Sequence, residues 1–479
     1  MKKGIWDAAK TTAVALIKNF DVNYQEDGAT ALYYACRSGD SHIVSHLLED
    51  DRIDVNLGSP PLVAACESRH INIVTLLLAD KRVDVNHTGV YDATPLYSAC
   101  CSNNQELVTL ILTAPGIEVN KLDDDMSTPF LFVCRKGFHD IVSLLLADQR
   151  TDPNIPNSAG LSPFLAACNN SRWEVISLFL ADPRVDVNAG MTDGCTAFYI
   201  ACQDGNLALV RLLMNHPRID IRQVGKGEMS PLFIACQNNH GNVVRLLLTK
   251  VKDVNRPSIS GRTPFTRACE HGHDEIVKML LDDPRVDTTT TDDTGCSALW
   301  TTSRNGHLST IQLILASDRE VDIHARTMKG LSIWENTTAR EITHIKMVHP
   351  NPLDPQIEQD RKKQNYSLIL NLLIAYEKDP VATRHWVREL PSMRAEYITG
   401  TFAVVVFLCD DLLQLNPNPD LIVTTTTPAI RFFLMMSRLP MEIQMMICNR
   451  LYSCPSDNIL TQYSEPAFKK LATQLSQIM

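Results

Sequence analysis

The dipeptide Ala-Cys recurs through the first half of the chain at a nearly constant interval. It stands at Ala35-Cys36, Ala65-Cys66, Ala99-Cys100, Ala167-Cys168, Ala201-Cys202, Ala235-Cys236 and Ala268-Cys269. Val133-Cys134 fills the gap in the series and Thr302-Ser303 continues it. Counted from Cys36, the steps are 30, 34, 34, 34, 34, 34, 33 and 34 residues. A period of that length marks a repeat architecture, in which each unit buries its apolar face only by stacking on its neighbours. Length alone would divide 479 residues into about three globular domains, and the repeat removes that inference.

Each unit has the same internal order. It opens with Thr/Ser-Pro/Ala-Leu/Phe, as in Thr94-Pro95-Leu96, Thr128-Pro129-Phe130 and Ser230-Pro231-Leu232. A hydroxyl residue before Pro predicts an N-cap followed by the first helical position, where the missing N–H costs nothing. The short helix runs to Gly39, Gly137, Gly205, Gly272 or Gly306, a residue that ends helices in a left-handed conformation. A second helix follows with apolar doublets such as Ile73-Val74 and Leu77-Leu78, one wide stripe at helical period. The unit closes on Asp-Val-Asn, as at Asp84-Val85-Asn86, and a turn rich in Gly, Asp and Asn.

In this order the chain resembles an ankyrin-repeat array. The Thr-Pro-Leu-x-x-Ala-Ala signature is present with Cys in place of the second Ala, over nine units across about residues 27–325. The resemblance implies an all-α fold, a solenoid of stacked helix pairs with projecting hairpin turns, followed here by a small helical C-terminal domain. The expected division is 1–26 as an N-terminal capping half-repeat, 27–325 as ankyrin repeats, 326–379 as a degenerate capping repeat with a loop insertion, and 380–479 as the helical C-terminal domain. Within the capping repeat, Gly330 to Trp334 imitate the repeat opening and Tyr366 to Ala375 the second helix. Tail helices are predicted over about 382–414, 428–452 and 464–477.

Three departures from the family pattern stand out. The turn between Asn56 and Pro60 is about four residues short. Most units carry an extra residue before the final Asp, as in Ala181 to Asp186. The usual His after the opening triplet is replaced by Tyr33, Tyr97, Tyr199, Phe233 or Trp300.

The resemblance makes the first helices and turns a concave, protein-binding face. Register then exposes the two positions after each Ala-Cys. The candidate partner-binding residues are Arg37, Ser38, Glu67, Ser102, Arg135, Lys136, Asn169, Asn170, Gln203, Asp204, Gln237, Asn238, Glu270, His271, Arg304 and Asn305. Amides in the middle of that row both donate and accept, which suits an extended backbone. Residues 321–479 carry equal numbers of basic and acidic side chains, so the net charge of −10 resides in the first 320. An acidic array favours a basic protein partner and disfavours nucleic acid and anionic membranes.

The cysteine ladder admits a redox or metal reading and a structural one. In the structural reading Cys is a small buried residue where helices approach closely. Repeats in the resembled fold stack about 10 Å apart, beyond the 4.4–6.8 Å Cα separation a disulfide needs. No Cys-x-x-Cys occurs and no His sits at ligand spacing, so no metal and no cofactor is expected. Cys101, Cys195 and Cys296 fall outside the register and are expected to be the more reactive thiols.

Gly-x-Ser-x-Gly, His-Glu-x-x-His and P-loop patterns are absent, and no catalytic residue is nominated. No secretory pattern follows Met1-Lys2-Lys3, and the longest apolar run, Phe402 to Cys409, is far short of the roughly 20 residues that span a membrane. A monomeric cytoplasmic protein with reduced thiols is expected, the nucleus remaining open. In the tail, Leu439, Pro440, Glu442, Ile443, Ile447 and Leu451 resemble the opening helix of an F-box, which implies docking to a cullin-ligase adaptor. Pro at a helix start explains much of that pattern without a partner. The leading expectation is a non-catalytic protein-interaction scaffold, with the ubiquitin-ligase receptor as the alternative.

Overall fold

The hydroxyl residues that open the units cap helices as their pattern requires. In the computed structural model, which describes residues 21–328, 335–349, 356–390 and 393, the Tyr97, Leu131 and Leu165 N–H groups donate to the side chains of Thr94, Thr128 and Ser162 at 3.0, 3.0 and 3.2 Å. Twenty-one α-helices follow from this grammar among the described residues, with a small antiparallel ribbon, Gln25–Glu26 against Ala29–Thr30. The chain divides between Lys252 and Asp253 into two compact units.

The first unit holds seven helix pairs, from Ala31–Ser38 with Ser41–Leu48 to Pro231–Gln237 with Gly241–Leu248. Its ladder thiols, Cys36 to Cys236, are all buried, and burial pushes Cys36 up to about 12 and Cys134 well above the ordinary thiol range. They are packing residues. The second unit shows what a polar atom does in that slot: Ser303 is buried and its hydroxyl has no hydrogen-bond partner. A buried orphaned hydroxyl costs about 1–3 kcal/mol in proteins. Ser303→Cys is therefore expected to stabilise the protein by about 1 kcal/mol, and Cys134→Ser to destabilise it by about 2 kcal/mol, in urea unfolding.

The closing Asn residues tie each repeat to the next. Asn120 Nδ2 donates to the Arg150 carbonyl at 2.7 Å while its Oδ1 accepts the Asp152 N–H at 3.0 Å. Asn154 repeats this with Arg184 and Asp186 at 2.8 and 2.7 Å, and Asn23, Asn56, Asn86 and Asn188 do the same. Position 222 holds Arg instead, paired to Asp220 within its own turn. Among the described residues of the second unit one Asn does so, Asn255, bonded to Arg285 and Asp287.

The extra residue before the final Asp belongs to a second tie, an Asp-x-Arg turn. Asp80 holds the Arg82 guanidinium at 2.7 Å, and Arg82 Nη2 donates to the Leu48 carbonyl of the preceding repeat at 2.6 Å. Arg150 does the same between Asp148 and Leu112 at 2.6 and 2.9 Å. These arginines satisfy the last carbonyls of a helix in the neighbouring repeat, which lack intrahelical partners. The arginine hydrogen bonds hold the Asp80, Asp148 and Asp182 carboxyls below the usual carboxylate range. Because the folded state ionises these groups more readily than the unfolded chain, their stabilisation is complete above about pH 4 and lost as pH falls through the depressed folded values. Urea midpoints measured across pH are expected to hold from pH 7 to about 5 and then fall, less steeply in Asp148→Asn.

Helix ends follow the glycine pattern at five units, with φ between 68° and 82° at Gly39, Gly137, Gly205, Gly272 and Gly306. Four units place Arg69, Asn103, Ser171 and Asn239 at the same position with φ of 51–62°. Space explains why Gly137 could not be exchanged in this way: a Cβ there would lie 2.5 Å from Arg172, which crosses it to donate Nε to the Arg135 carbonyl at 3.2 Å. The residue equivalent to Arg172 in the repeat after Arg69 is Asn104, whose side chain instead accepts from the Leu107 N–H of its own helix.

The second unit contains Pro264–His271 with Asp274–Asp282, Ala298–Asn305 with Leu308–Ala316, and Ala339–Val348 with Gln356–Lys378. Gly330 to Trp334, expected to open the capping repeat, lie outside the described residues. The helix there starts at Ala339, where the Thr338 hydroxyl and the Glu341 carboxylate close a reciprocal capping box. Helix Gln356–Lys378 contains the expected Tyr366–Ala375 stretch but is much longer. The described part of the helix expected over 382–414 is Pro380–Arg388; 394–414 and the helices expected over 428–452 and 464–477 lie outside the described residues. Helix Pro380–Arg388 packs on the last repeat, with Arg388 donating to the Ala316 carbonyl at 2.9 Å and pairing with Asp318 at 2.7 Å. No helix among the described residues is long and apolar enough to cross a membrane.

Candidate protein-binding surface

In most repeats the exposed side chains of the first helix are at its C-terminal end, although Ala31 and Tyr34 are exposed in Ala31–Ser38. In Pro163–Asn169 every residue from Pro163 to Cys168 is buried, and Asn169 and Asn170 are exposed. In Pro61–Glu67 burial is equally complete up to Cys66, after which Glu67 is exposed. Arg37, Ser38, Arg135, Lys136, Asp204, Asn238 and His271 are exposed as register expects, while Gln203, Gln237, Glu270, Arg304 and Asn305 are half-buried.

The row departs from its expected form where side chains turn back on the protein. Ser102 is buried and its hydroxyl donates to the Ala99 carbonyl at 2.7 Å, so it offers nothing to a partner. The amides of Asn170, Asn238 and Asn305 donate to the Ala166, Gln203 and Glu270 carbonyls at 2.8, 2.8 and 2.6 Å, leaving their oxygens for other contacts. Helix ends need carbonyl partners, and a nearby amide supplies them before any ligand does.

Aromatic residues divide by depth. Tyr199, Phe233 and Trp300 are buried, whereas Tyr33 and Tyr97 stay half-exposed. Tyr97 meets Phe132 at a tilt of 51° with ring centroids 5.1 Å apart, and Phe138 meets Phe132 at 6.4 Å. The Arg135 guanidinium and Lys136 ammonium lie 5.8 and 5.7 Å from the Phe132 ring centre, within the range of cation–π attraction. Phe132 is the residue that sequence reasoning missed. Its signal was a second aromatic in that helix two positions before the Cys, where other units carry Tyr34, Arg267 or small and aliphatic residues.

A family model described as ankyrin repeats in three copies matches the chain in seven overlapping stretches, 6–89, 55–123, 96–191, 130–225, 164–258, 218–292 and 252–327. The chain belongs to the ankyrin-repeat family. Comparison with curated proteins gives no match.

The off-register thiols of these ankyrin repeats do not form the expected reactive set. Cys195 and Cys296 are buried, Cys195 against Gly225 of the next turn and Cys296 with Trp300 and Ile342, and burial raises both thiols. Cys101 is exposed, yet partial burial and the carboxylate of Glu67 outweigh Lys136 and push its thiol up to about 11. A thiol held protonated at neutral pH is a poor nucleophile. Among the described residues no three His, Cys, Asp or Glu side chains are placed to hold a metal ion.

One open cavity of about 390 Å³ lies in the second unit between Asp318–His324 and Tyr376–Arg384. Its charged walls pair with each other or with neighbours: Arg384 lies 3.6 Å from Asp318, and Glu377 binds Arg340 at 2.7 Å. The F-box-like residues Leu439, Pro440, Glu442, Ile443, Ile447 and Leu451 lie outside the described residues.

Proposed function

We propose that this ankyrin-repeat protein is a non-catalytic scaffold that holds a protein segment on the exposed ends of its first helices. The observation that carries this reading is the burial pattern of those helices, which conceals every side chain of units such as Pro163–Asn169 except the ones after the Cys. A rigid helix end repeated at a fixed interval presents polar groups with little conformational freedom to lose on binding. Family membership favours protein partners.

The test is affinity capture with the full chain and with Asn169→Arg/Asp204→Arg, two exposed positions whose change leaves the core untouched. The double variant loses captured proteins while its melting temperature stays within a few degrees of the parent. Equal capture by the double variant, or the same loss in Ser177→Arg on a second helix, would falsify the assignment of this face.

A further inference from the structure

Deepening that reading, and resting on it, we infer that repeats three to five bind a protein segment with acidic residues followed by large apolar ones. The charge there runs opposite to the net −10 of the chain. Arg135 and Lys136 cover the Phe132 ring, and Arg172 reaches the Arg135 carbonyl, so three cations gather at one helix end. None of the three forms an ion pair among the described residues, whereas the Asp-x-Arg arginines Arg52, Arg82, Arg150, Arg184 and Arg285 each have a carboxylate. Cations at a helix C-terminus are ordinarily explained by its dipole alone. The half-exposed aromatic pair beneath them, Tyr97 and Phe132, is a second observation the dipole does not explain.

The opposite edge of the same repeats exposes large apolar side chains among the carboxylates of Asp92, Asp124 and Asp125. Val90 and Tyr91 are 75% and 74% exposed at one hairpin tip and Met126 is 50% exposed at the next. The Asp124 N–H donates to the Tyr91 carbonyl at 3.2 Å and holds the two tips side by side. Met126 lies three residues before helix Pro129–Lys136 and the cations lie at its end, so the helix itself, roughly 12 Å long, lies between the two features. An extended segment covers that distance in about four residues. Its acids would meet the cations and its apolar side chains the hairpin tips. A nucleic acid strand fits less well, because its uniform charge would also meet Asp92, Asp124 and Asp125 on the hairpin edge.

The inference is tested by fluorescence anisotropy with the full chain and a labelled peptide of about ten residues, glutamates at one end and leucines about four residues on. Controls are the same peptide with lysine for glutamate, the same with serine for leucine, and a single-stranded oligonucleotide. The Glu–Leu peptide is expected to bind at least about tenfold more tightly than any control, and more weakly as salt rises. Arg135→Glu/Lys136→Glu is expected to weaken it by about tenfold at unchanged melting temperature, and Phe132→Ala by about tenfold with a lowered one. Unchanged affinity in the charge-reversed variant overturns the inference, as does tighter binding of the oligonucleotide. Preference for the lysine peptide overturns the charge assignment and leaves protein binding by this face standing. If no peptide binds while Asn169→Arg/Asp204→Arg still loses captured proteins, the partner sits elsewhere on the face and this inference alone fails.

Discussion

Phe179→Ala is expected to destabilise the first unit by about 4 kcal/mol. The side chain is fully buried and meets Phe130 at 5.8 Å and Phe164 at 6.0 Å, both edge-on. Equivalent second-helix positions hold Leu77, Leu145 and Leu213, so Phe179 fills a larger space that alanine leaves empty. Phe179→Leu keeps most of the volume and is expected to cost less than about 1.5 kcal/mol. Repeat stability is a sum of local and nearest-neighbour contributions. The alanine variant should therefore unfold in two phases, with amide exchange fastest around residues 129–181. A loss below about 1 kcal/mol would show that the aromatic cluster does not join these repeats.

The second large effect lies in the short turn. Gly58 has φ of 71°, and a Cβ there would stand 2.3 Å from the Gly28 carbonyl oxygen, a backbone atom with no rotamer to move. The adjacent Ser59 N–H donates to that same carbonyl at 2.8 Å, so retreat of Gly28 breaks the bond that holds the two hairpins together. Left-handed conformation alone costs an L-residue about 1–2 kcal/mol, and with the clash Gly58→Ala is expected to lose about 3 kcal/mol. Gly116→Ala is the control: its φ is 76° and nothing lies within 4 Å of the added carbon. That variant should lose only about 1 kcal/mol, and equal losses at the two sites would remove crowding as the reason for the short turn.

What the sequence made legible was everything carried by a short spacing. The Cys register, the hydroxyl caps at Thr94, Thr128 and Ser162, and the glycine ends all depend on residues within one helix of each other. The interrepeat ties were invisible for the opposite reason. Asn120 finds Arg150 and Asp152, and Arg82 finds Leu48, only after stacking brings residues about one period apart together. The extra residue before the final Asp was noticed as an irregularity in length, and its role as the Asp-x-Arg turn needed the neighbouring helix end. The binding row was misread at Ser102 because register gives a direction along the helix but not the backbone carbonyl that captures a hydroxyl. Arg135 and Lys136 were identified as positions, yet their charge has meaning only with Phe132 beneath them and Arg172 arriving from the next repeat.

Binding by the first-helix face is tested most directly by photo-crosslinking. A benzophenone amino acid placed at Asn169, exposed after the Cys of its first helix, reports on the proposed face. The same group at Ser177, exposed on the following second helix, reports on the opposite one. The expected result is a covalent adduct with the captured protein from position 169 and none from position 177. An adduct formed from position 177 while position 169 stays unlinked would contradict the account.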